Sequence, residues 1–217
     1  HEARGVEVRL DAKVEGVARG LLGGGQGLKL AGGEVLKCDS VLVGIGVLPN
    51  EELAAEAGLG VNNGVLVDEA CRTADPSIYA IGDLARQRHW LYDRDLRLES
   101  VPNAIEQGKH AAAAITGAAP PKPEAPWFWS DQFELKLQSA GLVFGGEETV
   151  VRDYGDPDKL ALFHLVDGVL TAADAVNDPQ AFMAAKMMIA KRARPDAQAL
   201  ADPEASLKDV MKAALQA

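Results

Sequence analysis

The sequence is poor in the residues that build disulfide and metal sites. It has two cysteines among 217 residues, Cys38 and Cys71, and no C-x-x-C spacing. Its four histidines show no metal-ligand spacing. We therefore expect neither a redox-active disulfide nor a bound metal, and unpaired cysteines are typical of a protein of the reducing cytoplasm.

Long apolar runs and an excess of positive charge are also missing. No run approaches the roughly 20 apolar residues that span a bilayer, so no membrane segment is expected. The net charge of −10 argues against broad nucleic-acid binding. The rest of the composition, 47% hydrophobic and 25% charged residues, is that of an ordinary globular protein.

A complete glycine-rich phosphate turn is the third absence. "VLVGIGVLPN" at 41–50 is an apolar run that enters Gly-x-Gly. The dinucleotide-binding turn needs G-x-G-x-x-G, and Pro49 stands where the third glycine belongs. A proline there removes a backbone donor and breaks the helix that would hold the phosphate. The other glycine cluster, "GGGQG" at 23–27, follows no strand and is interpreted as a hairpin loop.

The first half of the chain is predicted to mix strands with two helices. Strands are predicted at "GVEVRL", "KVEGVA", "GLKL", "EVLKCDSVLVGIG", "GVLVDEACRT" and "SIYAIGD". Because "VLVGIG" is continuously apolar, we expect it to be covered on both faces. "NEELAAEAGL" predicts a short helix capped by Asn50. After the polar, arginine-bearing loop "LARQRHWLYDRDLRLES", a helix is predicted from Pro102 to Gly117.

The proline-rich stretch "AAPPKPEAP" at 118–126 predicts a linker to a separate unit. Beyond it, strands are predicted at "WFWSDQ", "GLVFGG", "ETVVRDY", "KLALFHLV" and "GVLTAADAV". Two helices are predicted to follow, each beginning at an Asp-Pro pair, at 178–179 and at 202–203.

Two segments form the best candidate site. "RTADPSIYAIGD" predicts an apolar strand that ends in Asp83, and open α/β sheets bind ligands at the carboxyl ends of their strands. "ESVPNAIEQG" places a helix N-terminus just after Val101, whose free donors suit a flavin atom that becomes anionic on reduction. A plain strand-ending turn at Asp83 is the structural alternative.

Four motifs, in this order and spacing, resemble a known family: "DSVLVGIGVLPN", "RTADPSIYAIGD", "ESVPNAIEQG" and "PWFWSDQ". They are similar to the C-terminal half of the flavin-dependent NADH:ferredoxin reductases. These are the reductase components of aromatic-ring dioxygenases and of putidaredoxin-type monooxygenase systems. "IYAIGD" is shared by the wider flavoprotein superfamily, whereas "ESVPNA" with "WFWSDQ" is specific to this branch.

The resemblance covers the whole chain and implies an α/β fold. It implies the C-terminal part of a flavoprotein with two dinucleotide-binding domains, followed by a C-terminal α+β domain. Residues 1–45 would be a remnant of the NAD-binding domain and 46–117 the C-terminal part of the FAD-binding domain. The linker 118–126 would lead to the C-terminal reductase (interface) domain at 127–217.

The resemblance also implies site residues. Asp83 would bind the ribityl-phosphate region of FAD, and the backbone at Val101 would meet the pyrimidine edge of the flavin. Trp129 would flank the isoalloxazine and line the route by which electrons leave the flavin. Gly44 and Ile45 would lie near NADH. No catalytic acid or base is expected among the side chains, because the cofactors carry the chemistry.

The implied function is to pass electrons from NADH through FAD to a [2Fe–2S] ferredoxin that supplies an oxygenase in aromatic hydrocarbon catabolism. An acidic ferredoxin would dock on the arginines of the polar loop, Arg86, Arg88, Arg94 and Arg97, or on "KRAR" at 191–194. A solvated polar face and helix capping are the alternative interpretations of these two segments.

The chain opens at His1 with a predicted strand and lacks both G-x-G-x-x-G turns of the superfamily. We therefore expect an incomplete fragment, inactive by itself, although a trimmed but complete domain is also open. The sequence is equally compatible with a non-catalytic structural or interaction fragment, or with a different NADH-dependent flavoprotein such as a rubredoxin reductase. A disulfide reductase is disfavoured, because no histidine is followed five residues later by glutamate.

Overall fold

The structure of the protein, a computed structural model, describes residues 1–19 and 26–216. The chain divides into two compact units, His1–Val47 and Leu48–Ala217. In the first unit a 3-10 helix (Glu2–Arg4) precedes an antiparallel sheet of β1 (Val14–Arg19), β2 (Gln26–Leu30) and β3 (Val35–Lys37). Most of the predicted hairpin loop "GGGQG" lies outside the described residues.

Two strand predictions in the first unit are wrong. Neither "GVEVRL" at 5–10 nor "VLVGIG" at 41–46 forms a strand. The second was expected to be covered on both faces, yet Leu42 is 98% and Ile45 90% exposed. An apolar run becomes a buried strand only beside partner strands and under a covering layer. Among the described residues of this unit, no strand pairs with residues 41–46.

The second unit begins with α1 (Glu52–Glu56), β4 (Val65–Val67), β5 (Ala85–His89), β6 (Arg94–Leu96) and α2 (Val101–Thr116). β5 pairs in parallel with β4 and antiparallel with β6. Glu51, not the predicted Asn50, occupies the N-cap of α1, and it makes no side-chain cap bond. Its carboxylate instead accepts a hydrogen bond from the Gly64 N–H (2.5 Å).

The segment around Asp83 differs most from the prediction. "SIYAIGD" is not a strand: Tyr79 makes an isolated bridge with Arg72, and Gly82–Leu84 form a 3-10 turn. Gly82 has a φ of +71°, in the left-handed region that interrupts a strand. The predicted polar loop at 84–100 is instead the hairpin β5–β6. Asp83 therefore lies on a turn that precedes a hairpin, not at the end of a parallel strand.

Local signals set the ends of α2 as predicted. Ser100 is its N-cap, and its hydroxyl accepts a hydrogen bond from the Asn103 N–H (3.3 Å). Pro102 stands in the first turn, where no intrahelical donor is lost. Gly117 closes the helix with a φ of +72°. Residues 118–126 carry no helix or strand.

The C-terminal part is an antiparallel sheet in the order β7-β8-β11-β10-β9. Its strands are β7 (Trp127–Gln132), β8 (Leu135–Gly141), β9 (Glu148–Asp153), β10 (Leu160–Val166) and β11 (Val169–Val176). Helix α3 (Pro179–Ala190) packs against β8, β10 and β11. Helices α4 (Ala197–Ala201) and α5 (Leu207–Gln216) pack on β9 and on α3. Phe163, Leu170 and Met188 are fully buried between these layers.

Two C-terminal predictions need correction. "GLVFGG" forms no strand beyond Gly141, because Gly145 and Gly146 turn the chain with φ of +95° and +90°. Asp178 caps α3 as predicted, by accepting from the Ala181 N–H (3.0 Å). The second Asp-Pro pair begins no helix. It lies in the turn between α4 and α5, where the Asp202 carboxylate accepts from the Glu204 N–H (2.9 Å).

The tip of the β5–β6 hairpin is hydrogen-bonded to the C-terminal sheet. The Tyr92 hydroxyl donates to the Thr171 carbonyl (3.1 Å) and accepts from the Leu142 N–H (2.8 Å). Arg192, just after α3, donates to the Leu91 carbonyl (2.8 Å). The Leu91 side chain belongs to the same core as α3. The hairpin and the sheet therefore share one core. None of the described helices is long and apolar enough to cross a membrane.

A buried guanidinium joins the sheet edge to the C-terminal helices. Arg152 on β9 is 3% exposed. It donates to the carbonyls of Leu200 (3.1 Å) and Ala205 (2.6 Å) and to the Tyr154 hydroxyl (2.8 Å). It thereby satisfies carbonyls at the end of α4 and in the turn that follows, which no helix continues to pair.

We expect Arg152→Met to lower the free energy of unfolding by about 2–4 kcal/mol, because buried carbonyls lose their donor. Urea unfolding followed by tryptophan fluorescence measures this, since all three tryptophans lie in the second unit. Lys208→Met, at an exposed position of α5, is the matched control and should change stability by less than about 0.5 kcal/mol. Equal effects of the two substitutions would contradict the assignment.

We also expect acid to destabilise the second unit through His89. Burial lowers the pKa of His89 from 6.5 to about 4. Between these values the unfolded chain binds a proton that the folded chain does not. The free energy of unfolding is therefore unaffected by His89 protonation above pH 6.5. It falls by about 2–3 kcal/mol as the pH drops from 6.5 to 4. Unfolding titrations across this range should show a steeper loss of stability in the wild type than in His89→Phe. The same slope in both proteins would mean that His89 is not responsible.

Candidate functional site

The Asp83 turn presents a carboxylate without a partner. Asp83 is exposed, and within the described part of the chain its side chain makes no hydrogen bond or ion pair. Its main-chain carbonyl accepts a hydrogen bond from Arg97 (2.8 Å). The backbone of this residue is therefore held in place while its carboxylate remains available to a ligand.

A buried glutamine fixes this turn against α2. Gln107 is 4% exposed, and its side-chain carbonyl accepts a hydrogen bond from the Gly82 N–H (2.6 Å). Its main-chain carbonyl accepts from the Cys71 thiol (3.6 Å), whose pKa burial raises to about 11. A side chain at Gly82 would lie 3.5 Å from the Ala104 methyl group. The turn therefore rests directly on the first turns of α2.

An apolar stripe runs from the N-terminus of α2 toward the same turn. Val101 is 59% and Ile105 54% exposed, and their i,i+4 spacing places them on one helix face. Gly108 continues this face, and a side chain there would meet the Ile81 Cδ1 at 3.8 Å. Ile81 itself is 44% exposed. We call Ile81, Val101 and Ile105 the apolar stripe.

This arrangement fits the flavin that the sequence motifs imply. A free carboxylate suits the hydroxyl groups of a ribityl chain, and an exposed apolar stripe suits the face of a ring system. The first-turn N–H groups of α2 lack intrahelical partners and carry the positive end of the helix dipole. Asp83 and Val101, predicted separately, are thus joined in one unit by Gln107.

Trp129 lies on β7, a strand that contacts α2. Its ring is 5.6 Å from that of Trp127, so the two indoles share a strand face as their spacing predicts. Trp127 packs on Phe182 of α3 (5.5 Å between ring centroids), whereas Trp129 remains 42% exposed. Trp127 is therefore a core residue and Trp129 is available for contact. Gly44 and Ile45 belong to the first unit, in a segment without helix or strand.

The arginines of the hairpin do not form the free basic patch that the sequence suggests. Arg97 is 9% exposed and donates to Glu99 (2.6 Å) as well as to the Asp83 carbonyl. Arg88 donates to Asp93 (2.8 Å), and it lowers the pKa of that carboxyl. Arg94 lies over the Phe144 ring, 4.4 Å from its centroid. Arg97 thus stabilises the Asp83 turn, and Arg88 is largely neutralised.

The positive charges of the other predicted basic patch are less neutralised by nearby carboxylates. Lys191, Arg192 and Arg194 are all exposed at the end of α3. Arg192 donates to the Trp90 and Leu91 carbonyls, and Arg194 donates to the Asp167 carbonyl (2.5 Å). These bonds use neutral acceptors and leave the positive charges without a carboxylate partner in the described part of the chain. We call these three residues the basic segment.

Sequence reasoning missed Gln107 and the structural role of Arg97. Gln107 lies one turn before Ala111 on the buried face of α2. A polar residue on a buried helix face indicates a hydrogen bond to another element, although it does not say to which one. Arg97 carried no comparable signal, because its partner Asp83 is 14 residues away and nothing in the intervening sequence indicates the contact.

Comparison with known proteins identifies two families in the chain. The pyridine nucleotide-disulphide oxidoreductase family matches residues 1–108, and the Reductase C-terminal family matches residues 127–211. The candidate site residues Asp83 and Val101 lie within the first match and Trp129 within the second.

Individual relatives agree with these matches. The chain is 45% identical over 206 residues to a probable ferredoxin reductase of Castellaniella defragrans, covering 94% of this chain and 50% of that protein. It is 44% identical over 211 residues to the ferredoxin–NAD(+) reductase component of an anthranilate 1,2-dioxygenase system of Burkholderia cepacia, covering 96% and 51%.

The crystal structure of a covalent putidaredoxin reductase–putidaredoxin complex matches with a TM-score of 0.92 at 38% identity, over 98% of this chain and 51% of that one. The match confirms the predicted α/β fold. The chain spans about half the length of the curated relatives it matches. It belongs to the ferredoxin reductase family that includes putidaredoxin reductase and the reductase components of aromatic-ring dioxygenases.

Proposed function

We propose that the protein containing this chain passes electrons from NADH through FAD to a [2Fe–2S] ferredoxin, which supplies an oxygenase. One observation carries the proposal. Gln107 holds the free Asp83 carboxylate and the apolar stripe in a single rigid unit, within a chain of the ferredoxin reductase family.

FAD would supply the hydride-accepting and single-electron chemistry, and this chain would bind and orient it. Asp83 accepts hydrogen bonds from the hydroxyl groups of the ribityl chain. The N-terminus of α2, at Val101, favours negative charge at the pyrimidine edge. The apolar stripe excludes water from one face of the ring. Trp129, exposed on β7, lines the route by which electrons leave.

We further propose that Gly44 and Ile45 contact NADH at the end of the NAD-binding domain, residues 1–45. Residues 46–117 would complete the FAD-binding domain, and 127–217 would form the C-terminal reductase domain after the linker 118–126. The two family matches, which end at 108 and begin at 127, support the linker, whereas a single match spans both 1–45 and most of 46–117. A cytoplasmic location is supported by the free thiols of Cys38 and Cys71.

The partner is supported by the names of the relatives. One belongs to an anthranilate 1,2-dioxygenase system, and one structure contains putidaredoxin bound to its reductase. Because this chain carries a net charge of −10, an acidic ferredoxin would be repelled at long range and needs a local basic surface. Of the two candidates we favour the basic segment, because Arg88 and Arg97 of the hairpin are paired with Asp93 and Glu99 whereas the three cations of the basic segment have no carboxylate partner in the described part of the chain.

We expect Asp83→Ala to weaken FAD retention by roughly 10-fold to 150-fold, because a hydrogen bond to a charged group contributes about 1.5–3 kcal/mol. The measurement is the FAD dissociation constant of the reductase that contains this chain. Asp95→Ala, at another exposed carboxylate of the hairpin, is the matched control. Unchanged FAD affinity in Asp83→Ala would refute the assignment of this residue.

Charge reversal of the basic segment, Lys191→Glu with Arg194→Glu, should weaken ferredoxin binding and flatten its dependence on salt. Titration of a [2Fe–2S] ferredoxin at several ionic strengths measures both effects. Arg88→Glu is the control, and its effect should be smaller because Asp93 already neutralises Arg88. A larger effect of Arg88→Glu would instead place the docking surface on the hairpin.

A further inference from the structure

A cavity of about 430 Å³ lies within the second unit, between α2, the β5–β6 hairpin and the proline-rich residues 118–126. The side chains of Trp90 and Trp127 and several prolines line it, and its surface is mostly apolar. Asp83, Val101 and Trp129 are not among the lining residues. The cavity shares Gln107 and the first turn of α2, at Pro102 and Asn103, with the candidate flavin site, but none of the three proposed flavin contacts lines it.

His89 supplies the cavity with one hydrogen-bond donor. The residue is 6% exposed and lines the cavity. Its Nδ1 accepts a hydrogen bond from the Leu91 N–H (3.2 Å), so the proton of the neutral ring is on Nε2. Burial lowers the pKa of His89 to about 4, which keeps the ring neutral at physiological pH.

The Nε2 atom is the unpaired nitrogen of the His89 ring, which lines this cavity. It makes no hydrogen bond within the described part of the chain. Among the described residues, three buried side-chain nitrogen or oxygen atoms lack a hydrogen-bond partner. They are the Nε atoms of Arg72, Arg86 and Arg97. His89 Nε2 also lacks a partner but is not one of these buried atoms, so it retains accessible surface. The His89 ring lines the cavity. A buried donor without a partner favours a ligand that brings an acceptor.

The charges around the cavity select against anions. Three carboxyl groups line it, those of Glu69, Glu106 and Glu124. Burial raises the pKa of Glu106, although a hydrogen bond from the Glu124 N–H opposes the shift. The lining Arg88 is already bonded to Asp93. Glu124 is paired with Lys186 (2.5 Å) and Glu106 lies 3.9 Å from His110, so a nucleotide phosphate or a carboxylate would meet Glu69 and two groups that are already paired, with no free arginine to bind it.

We propose that this cavity binds a small uncharged aromatic molecule whose carbonyl oxygen accepts a hydrogen bond from His89 Nε2. The two indoles and the proline rings give flat apolar walls, and aromatic rings pack on such walls at favourable offset or edge geometries. The neutral His89 donor favours a carbonyl acceptor over a plain hydrocarbon, and the carboxyl groups of the lining disfavour acids.

The test is titration of the chain with three probes of similar size: acetophenone, toluene and benzoate. Binding is followed by the ¹H–¹⁵N signals of the Trp90 and Trp127 indoles. We expect acetophenone to bind roughly 3-fold to 10-fold more tightly than toluene, because this is the change in affinity that the net free energy of one hydrogen bond produces. We expect benzoate to bind most weakly. His89→Phe should abolish the preference for acetophenone but still admit toluene, and His89→Gln should restore part of it.

A second variant tests the location. Ala114→Trp fills the cavity from α2 and should abolish binding of acetophenone and toluene, whereas Ala112→Trp, on the exposed side of the same helix, should not. Equal affinities for acetophenone and toluene in the wild type would overturn the proposal. So would binding that survives Ala114→Trp, or indole signals that do not respond to any probe.

Discussion

The hydrogen bond from the Gly82 N–H to the Gln107 side chain determines where the candidate site is. Gly82 turns the chain with a positive φ, which leaves its N–H directed away from any strand ladder. Leaving such a buried donor unpaired would cost about 1–3 kcal/mol. With the bond formed, the Asp83 carboxylate, the apolar stripe and the N-terminus of α2 have one fixed geometry. Arg97 completes the constraint by holding the Asp83 carbonyl.

The parts of the fold that could be predicted from sequence are those set by local chemistry. Gly117 stops α2 because glycine tolerates the left-handed conformation, and Asp178 starts α3 because its carboxylate pairs with a free N–H. The strands β7, β9, β10 and β11 followed from short runs rich in aromatic, aliphatic and β-branched residues. The start of α2 was predicted from Pro102, and the structure adds Ser100 as its N-cap.

The parts that could not be predicted depend on distant partners. "SIYAIGD" has the composition of a buried strand, but the Gly82 turn is selected by Gln107, 25 residues later. The arginines of the hairpin suggested a loop, because nothing in that segment indicates its pairing with β4. "VLVGIG" has the composition of a two-sided strand, and no neighbours within its unit's described residues cover it. In each case composition did not reveal the partner, and for "VLVGIG" and "SIYAIGD" it also predicted more burial than the structure shows.

The anchoring of the hairpin tip has a consequence for how the chain can be divided. The two family matches are separated by the proline-rich residues 118–126, which in sequence look like a natural cutting point. Yet the Leu91 side chain lies in the core of the C-terminal sheet, and the Tyr92 hydroxyl bridges the Thr171 and Leu142 backbones. Burial raises the pKa of Tyr92 to about 12, so this bridge does not ionise under physiological conditions. A piece expressed from residue 127 onward would therefore expose an apolar hole where Leu91 had been, and the modular boundary in the sequence is not a boundary of cooperative folding.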